Sequence, residues 1–340
     1  MDVVELTQKL VRIPSVSGKE HGCVDLLRDV LPKPVVAGRN IFAVRGDGPQ
    51  ALLLNSHTDT VPATEAWTIH PHAAELRDGK IFGLGSNDAK GPLAALVCAF
   101  LHAKVPEGRR LVLAATCDEE TGGEGLDVLR PALPRLSAAI VGEPTHLEVC
   151  SGQRGLLRLR LTARGKAAHA ARPWEGVNAI ERAANDVRLL ASMVMPEHPL
   201  LGIGTLQVTM IQGGVRPNVV PPECILEIDA RTVPAMDNRK LYQRVRRDVE
   251  SGVTVVSDRF LPVATPPDAA IVRAALIATG HQQPIAFGGV SDLFHVRDVP
   301  GVVLGPGRSD QSHAADEWIE VEQLEKAVAV YLETIERYFA

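Results

Sequence analysis

The chain has 340 residues, 45% of them hydrophobic and 23% charged, with a net charge of -5. This is the composition of a globular protein with enough apolar material for about two domains, at roughly 150 residues each. The acidic balance gives no electrostatic footprint for nucleic acid or a membrane surface, so neither is expected as a partner.

The five cysteines, Cys23, Cys98, Cys117, Cys150 and Cys224, are odd in number, and no two form a C-x-x-C. That argues against a disulfide framework and a zinc knuckle. The first residues, Met1-Asp2-Val3-Val4-Glu5-Leu6, are acidic and lack a signal-peptide core. No apolar run approaches the roughly 20 residues needed to span a bilayer. A reducing cytoplasm is the expected location.

Residues 2–12 and 20–31 read as short amphipathic helices, with a loop through Ile13-Pro14-Ser15-Val16-Ser17-Gly18 between them. After a short strand at 41–44, the apolar run Ala51-Leu52-Leu53-Leu54 predicts a strand buried on both faces, ending in Asn55-Ser56-His57-Thr58-Asp59. A polar segment with Trp67 leads to Gly83-Leu84-Gly85-Ser86-Asn87-Asp88-Ala89-Lys90-Gly91, a glycine-punctuated loop before a long apolar helix to about residue 103. Asp88 is there either a helix cap or a metal ligand. The next buried strand, 111–115, runs into Asp118-Glu119-Glu120, and the one after it, 138–141, into Gly142-Glu143-Pro144-Thr145. Strands alternating with helices predict an α/β domain with a mostly parallel sheet, whose ligand site lies beyond the carboxyl ends of the strands. His57, Asp59, Glu119, Glu120 and Glu143 all fall there.

From about residue 153 the pattern changes. Leu157, Leu159 and Leu161 alternate with Arg158, Arg160 and Thr162, a strand with one wet face. A helix, two more alternating strands, a second helix and a last strand at 253–256 follow. The order β-α-β-β-α-β predicts a ferredoxin-like α+β domain over 154–260, inserted into a discontinuous catalytic domain of residues 1–153 and 261–340. The closing part returns to helix, short strand at 302–304, the loop from Gly305 to His313, and a final amphipathic helix.

The candidate ligands are His57, Asp88, Glu120, Glu143 and His313, rich in oxygen, with two imidazoles and no thiolate. Such a set suits zinc, cobalt or manganese in a catalytic site. Five ligands exceed the needs of one tetrahedral ion with an open position and suit two ions bridged by a carboxylate. Asp59 is placed to hold His57 from outside. Of Glu119 and Glu120, one can bind metal while the other moves protons, and spacing does not distinguish them. Each residue alone has an ordinary reading as a surface or turn polar group; their convergence at the ends of buried strands favours a metal site. Apart from His169, the other eight histidines, His295 among them, have no partner in the sequence.

Six segments together carry a resemblance: HTDTVP at 57–62, GLGSNDAKG at 83–91, CDEETGG at 117–123, GEPT at 142–145, HAARPWEGVNAI at 169–180 and SHAADEW at 312–318. Over essentially its whole length the chain resembles the di-zinc amidohydrolase family of acetylornithine deacetylase, succinyl-diaminopimelate desuccinylase, aminoacylase and carboxypeptidase G. GEPT, with Glu143 in place of an aspartate, is similar to the deacetylase and desuccinylase branch.

The resemblance implies that Asp88 bridges two metals, zinc in the first place, with His57 and Glu143 completing one ion and Glu120 and His313 the other. It implies that Glu119 is the general base, that Asp59 orients His57, and that the peptide after Asp88 is cis. His169, in the inserted domain, would stabilise the oxyanion; in dimeric members it comes from the partner, so a homodimer through that lid domain is a family expectation. Arg231 and Asn218, and less directly Arg154, would meet substrate carboxylates, although strand alternation also puts Arg231 on one face with Asp229 for an ion pair. Leu84 and Ala89 depart from the family's arginine and methionine, which bears on the pocket and not on the ligands.

The implied activity is hydrolysis of an N-acyl group, first of all acetyl, from a small amino acid such as N-acetylornithine or N-acetyllysine, by a metal-bridging hydroxide. The alternatives are succinyl-diaminopimelate desuccinylation and a dipeptidase or carboxypeptidase of the same mechanism. From a different class, a non-catalytic binding protein on this fold would be signalled by a lost ligand or base, and none is missing.

Overall fold

The computed structural model describes residues 1–123 and 125–340. The chain forms two compact units. The first comprises Met1–Gly152, Thr265–Phe287 and Ser291–Ala340; the second comprises Gln153–Ala264 with Gly288–Val290.

The first unit is built on a large mixed sheet. Its strands lie in the order Val35–Ala37, Asn40–Gly46, Arg109–Thr116, Gln50–His57, Ala138–Val141, Gly301–Val303 and Cys150–Gln153. The expectation of a mostly parallel sheet needs correction. The four strands from Arg109–Thr116 to Gly301–Val303 are mutually parallel. On one side, Val35–Ala37 pairs antiparallel with Asn40–Gly46, which pairs antiparallel with Arg109–Thr116, and on the other Cys150–Gln153 is antiparallel to Gly301–Val303. The physical reason is connection length. Gly38 and Arg39 make a two-residue hairpin turn, with Gly38 at φ 63°, and so tight a link can join only antiparallel strands.

Helix Gly91–His102 is buried from Gly91 through Phe100, as its uniformly apolar sequence requires. It packs against the last helix, Val321–Phe339, which also packs on Ala270–Thr279. The last helix buries Leu324, Ala327, Tyr331 and Ile335 in the main core. The Tyr331 hydroxyl, fully buried, donates to the Leu304 carbonyl at 2.7 Å, which satisfies its one polar group. A small antiparallel sheet of Trp318–Glu320, Lys80–Phe82 and Glu75–Arg77 joins the segment after His313 to the one before Asp88. Three-residue strands carry no readable alternation, and the sequence reading contains none of them.

The second unit is a four-stranded antiparallel sheet in the order Thr205–Gly213, Glu223–Thr232, Gly155–Arg164 and Gly252–Phe260. Helices Ala179–Ala191 and Asn238–Asp248 intervene in the chain order β-α-β-β-α-β. Leu157, Leu159, Leu161 and Ala163 are buried with Ala183, Leu190, Leu241 and Val245 in a core of their own. Arg158, Arg160 and Arg164 of the same strand are exposed, and Arg160 Nε meets Glu227 Oε1 at 2.6 Å on the neighbouring strand. Among the described residues, no helix is long and apolar enough to cross a membrane.

Candidate active site

Parallel pairing brings the carboxyl ends of the central strands to one edge. His57 is the last residue of Gln50–His57 and pairs with Thr116, the last of Arg109–Thr116. Asn55 pairs with Val141, the last of Ala138–Val141. Whatever follows Thr116 and Val141 therefore emerges beside His57: Glu119 and Glu120 from one strand, Glu143 from the next. The loop after Gly301–Val303 supplies His313.

Two groups of candidate ligands result, His57 with Asp88 and Glu143, and Asp88 with Glu120 and His313; in each the ligand atoms lie within 4.8 Å of one another. Asp88 belongs to both. Its Oδ1 is 3.3 Å from His57 Nε2, and its Oδ2 is 3.8 Å from His313 Nε2. His57 Nε2 is 3.9 Å from Glu143 Oε2, and His313 Nε2 is 2.9 Å from Glu120 Oε2. The five residues fit a pair of divalent cations. Glu120 Oε1 and Glu143 Oε1 are buried with no hydrogen-bond donor, a costly state that a cation relieves. His57 Nδ1 lies 3.0 Å from the Asp59 carbonyl oxygen. Donation there leaves the Nε2 lone pair facing Asp88 and Glu143.

The electrostatics agree. Burial pushes the Glu119 and Glu143 carboxyls up, and the surrounding acids push the same way against His57. Burial pushes His57 down, but hydrogen bonds to Asp59 and Asp88 and the charges of Glu143 and Glu119 carry it well above its ordinary value. Burial pushes Asp88 up, yet the hydrogen bond and charge of His57 hold it below the usual carboxylate range. The hydrogen bond to Glu120 raises His313 to about 9. The cluster draws positive charge to its centre, as protons where no metal competes.

The Asp88 loop is a tight turn at Ser86–Lys90, entered through Gly85 at φ 79°, and its Asp88–Ala89 peptide is cis. The N-cap of helix Gly91–His102 is Lys90, with no side-chain capping bond; Asp88 instead faces His57, so the geometry gives the cap reading no support and keeps Asp88 as a candidate ligand. Glu317 holds this loop. Its Oε2 accepts from the Gly85 N–H at 3.0 Å, and its Oε1 from the N–H groups of Asn87 at 2.7 Å and Asp88 at 2.9 Å. Burial pushes the Glu317 carboxyl up to about 8, Asp88 adds to that, and the three N–H donors oppose it. Lys90, also fully buried, donates from Nζ to the Ile13 carbonyl at 2.7 Å.

The turn bearing Glu119 and Glu120 is held from two sides. Asp59 accepts from both backbone N–H groups, and Ser17 Oγ donates to Asp59 Oδ2 at 2.6 Å. Arg39, at the hairpin tip, pairs with Glu20 Oε2 at 2.8 Å and also with Asp118. Arg39 occupies the one other group of acids and thiol close enough to suggest a metal, Glu20–Cys117–Asp118, among the described residues.

Sequence reasoning missed Glu317, Arg39 and Glu20, and it missed Asp292. Asp292 is buried, accepts from Thr116 Oγ1 at 2.9 Å, and lies 3.8 Å from Nε2 of His295. Burial pushes its carboxyl up, and its charge acts on both Glu119 and Glu143. The only signals were a glutamate inside SHAADEW and a Ser-Asp pair before a short apolar run, neither of which announces a role.

The remaining candidates lie in the second unit. His169 forms a backbone bridge with Val219, and the Ala170 N–H donates to the Asn218 carbonyl at 3.0 Å, so His169 and Asn218 are neighbours. His169 Nδ1 accepts from the Ala171 N–H at 3.0 Å. Arg231 Nε pairs with Asp229 Oδ1 at 2.9 Å, the ion pair that strand alternation allowed. Arg154 Nη1 donates to the Ile203 carbonyl at 3.4 Å.

The sequence profile of peptidase family M20/M25/M40 matches residues 53–337. A succinyl-diaminopimelate desuccinylase of Rhodospirillum centenum is 31% identical over 377 aligned residues, covering 100% of this chain and 98% of its own. An acetylornithine deacetylase of Myxococcus xanthus is 32% identical, with 88% of this chain and 84% of its own covered. Among solved structures, a tripeptidase from Staphylococcus aureus has a TM-score of 0.79 at 23% identity, covering 99% of this chain and 98% of that one, a likeness of fold.

Proposed function

Because the chain belongs to peptidase family M20/M25/M40 and is a hydrolase of that family, we propose that it cleaves the N-acyl amide of a small amino acid at a two-metal centre. The observation that carries this reading is the sharing of Asp88 between the two ligand groups. His57 and Glu143 would complete one position, and Glu120 and His313 the other. Zinc is the first candidate for both, with cobalt or manganese as alternatives suited to the same donors. Two such ions would polarise the amide carbonyl and make water a nucleophile near neutral pH.

The chain's own groups do the rest. Glu119, raised by burial and by its acidic neighbours, takes a proton from the attacking water and delivers it to the departing amine. Asp59 keeps the backbone of that base in place. His169 stabilises the developing oxyanion, and Asn218, Arg231 and Arg154 are candidates for the substrate carboxylate. Arg231 would first have to leave Asp229. The 154–260 segment acts in this reading as lid and dimerisation element.

Two substrate readings stand level, because relatives named for both activities match at nearly the same identity. One is an N-acetylated basic amino acid such as N-acetylornithine or N-acetyllysine; the other is succinyl-diaminopimelate. The deciding experiment is turnover by the zinc- or cobalt-loaded protein of N-acetylornithine, N-acetyllysine, N-acetylcitrulline, succinyl-diaminopimelate and two dipeptides. Preference for one acetyl compound selects deacetylation, and activity on the succinyl compound alone selects desuccinylation. Cleavage of the dipeptides alone removes the N-acyl class and leaves a peptidase.

A further inference from the structure

His313 is the most exposed of the five candidate ligands, with its side chain 54% accessible, and its backbone sits at φ 62°. It hangs on a loop whose placement decides whether the second ligand group exists. The start of that loop is fastened to the Glu143 turn: the His146 N–H donates to the Gly307 carbonyl at 2.6 Å, and Ser309 Oγ donates to the Pro144 carbonyl at 2.8 Å. Its end is fastened by Asp316, which accepts from the Thr68 and Ile69 N–H groups at 2.9 and 3.2 Å. One side chain of the Asp88 loop reaches into this segment.

That side chain is Asn87, which is fully buried. Its Oδ1 accepts from the Arg308 N–H at 2.7 Å, and its Nδ2 donates to the Arg308 carbonyl at 3.1 Å. The amide thus pairs with both backbone groups of one residue, as a neighbouring strand would. Nδ2 also lies 3.4 Å from Oγ of Ser312, the residue immediately before His313. Ser312 in turn hydrogen-bonds to Asp88. Close approach is built in on the other side too: Gly307 is at φ 93°, and a Cβ there would collide with Asn87 Oδ1.

We propose that Asn87 is a positioning residue that places His313 against Asp88 and Glu120, and so sets the affinity of the second metal position without setting that of the first. The inference rests on the two-ion reading above. Its selectivity follows from a division of labour. Asp88 itself is held by Glu317, which grips the backbone N–H groups of Gly85, Asn87 and Asp88 and does not use the Asn87 side chain. Truncating that side chain therefore removes the hold on Arg308 and on Ser312, the residue before His313, while the shared ligand stays where His57 and Glu143 need it.

The test is a zinc titration of metal-free wild type and of Asn87→Ala, followed by calorimetry and by elemental analysis after dialysis. The expected result is two ions in the wild type; in the variant, one ion at wild-type affinity and a second weakened about 10- to 100-fold, the usual effect of removing a group that orients a ligand. Binding of both ions at unchanged affinity by the variant overturns the proposal. So does equal weakening of both, which would make Asn87 a support of Asp88. Fewer than two ions in the wild type would instead sink the two-ion reading, a distinct failure. Should Asn87→Ala not fold, Asn87→Asp is read by the same criteria. It is the same size and keeps the acceptor for the Arg308 N–H, but turns an oxygen towards the Arg308 carbonyl.

Discussion

The carboxylate of Asp59 holds the backbone of Glu119: its Oδ1 accepts the Glu119 N–H at 3.1 Å, and its Oδ2 accepts the neighbouring Glu120 N–H at 3.2 Å. The expected role of Asp59 was to steady His57. The His57 ring does meet it, but at 3.0 Å through the Asp59 carbonyl and at 3.5 Å through the carboxylate. One residue thus ties a candidate-ligand imidazole to the turn that carries the candidate base and a second candidate ligand. Asp59→Asn puts an amide N–H against one of two backbone donors. We expect kcat/KM to fall about 10- to 100-fold, with weakened metal binding. Steady-state kinetics alongside metal analysis check this, and unchanged values for both would remove Asp59 from the machinery.

Glu119 is not in either ligand group. Glu119→Gln keeps its size and removes its basicity, so metal content is expected to stay at wild-type level while kcat falls by about 10²- to 10⁴-fold. A variant that turns over normally would transfer the proton role elsewhere, with Asp292 as the next group to examine.

Glu317→Gln tests the support of Asp88. A glutamine keeps one acceptor oxygen, but its NH2 group would face a backbone N–H that now has a carboxylate oxygen. The loss is about 1–3 kcal/mol, the cost of leaving a buried donor unpaired. Because Asp88 is shared, both ions are expected to weaken together, in contrast to Asn87→Ala. Thermal unfolding and zinc titration read the two effects, and selective loss of one ion would contradict the assignment.

Metal uptake is expected to displace protons. His313 is raised to about 9 and His57 is raised as well, whereas a free imidazole sits near about 6.5. In the metal-free protein the His313–Glu120 pair therefore adds stability that is fully present below pH of about 6.5 and is lost as pH rises through about 9. Metals bind the deprotonated rings, so zinc affinity should increase across the same window, with proton release measurable in buffers of different ionisation heat. An affinity flat between those pH values would mean that neither imidazole is a ligand.

His169→Ala addresses the second unit. The substitution is expected to spare metal content and to lower kcat more than it changes KM, since an oxyanion contact strengthens in the transition state. An unaltered kcat would leave His169 as an exposed loop histidine held by the Ala171 N–H.

Several features were legible in the residues themselves. Continuous apolar runs at 51–54, 111–115 and 138–141 mark buried strands, and strict alternation from Leu157 to Leu161 marks a sheet with one wet face, because side-chain direction repeats every two residues along a strand. With strands known, the residues just past their ends follow, and so do His57, Glu119, Glu120 and Glu143 as a cluster. Whether Asp88 could join a ligand group was not a local matter. It depended on where His57 and His313 came to lie, and those are 31 residues before it and 225 after it. The antiparallel edges, the Arg39 pairing with Glu20 and Asp118, the Glu317 grip on the Asp88 loop and the Asn87 clamp on residue 308 were decided by the tertiary structure alone. Each joins polar groups distant in sequence, and a lone Arg, Glu or Asn carries no periodic signal. Hydrophobic patterning is written along the chain because burial acts on every residue of an element. Hydrogen-bond partners are not, because a donor finds its acceptor only once the backbone between them has been folded.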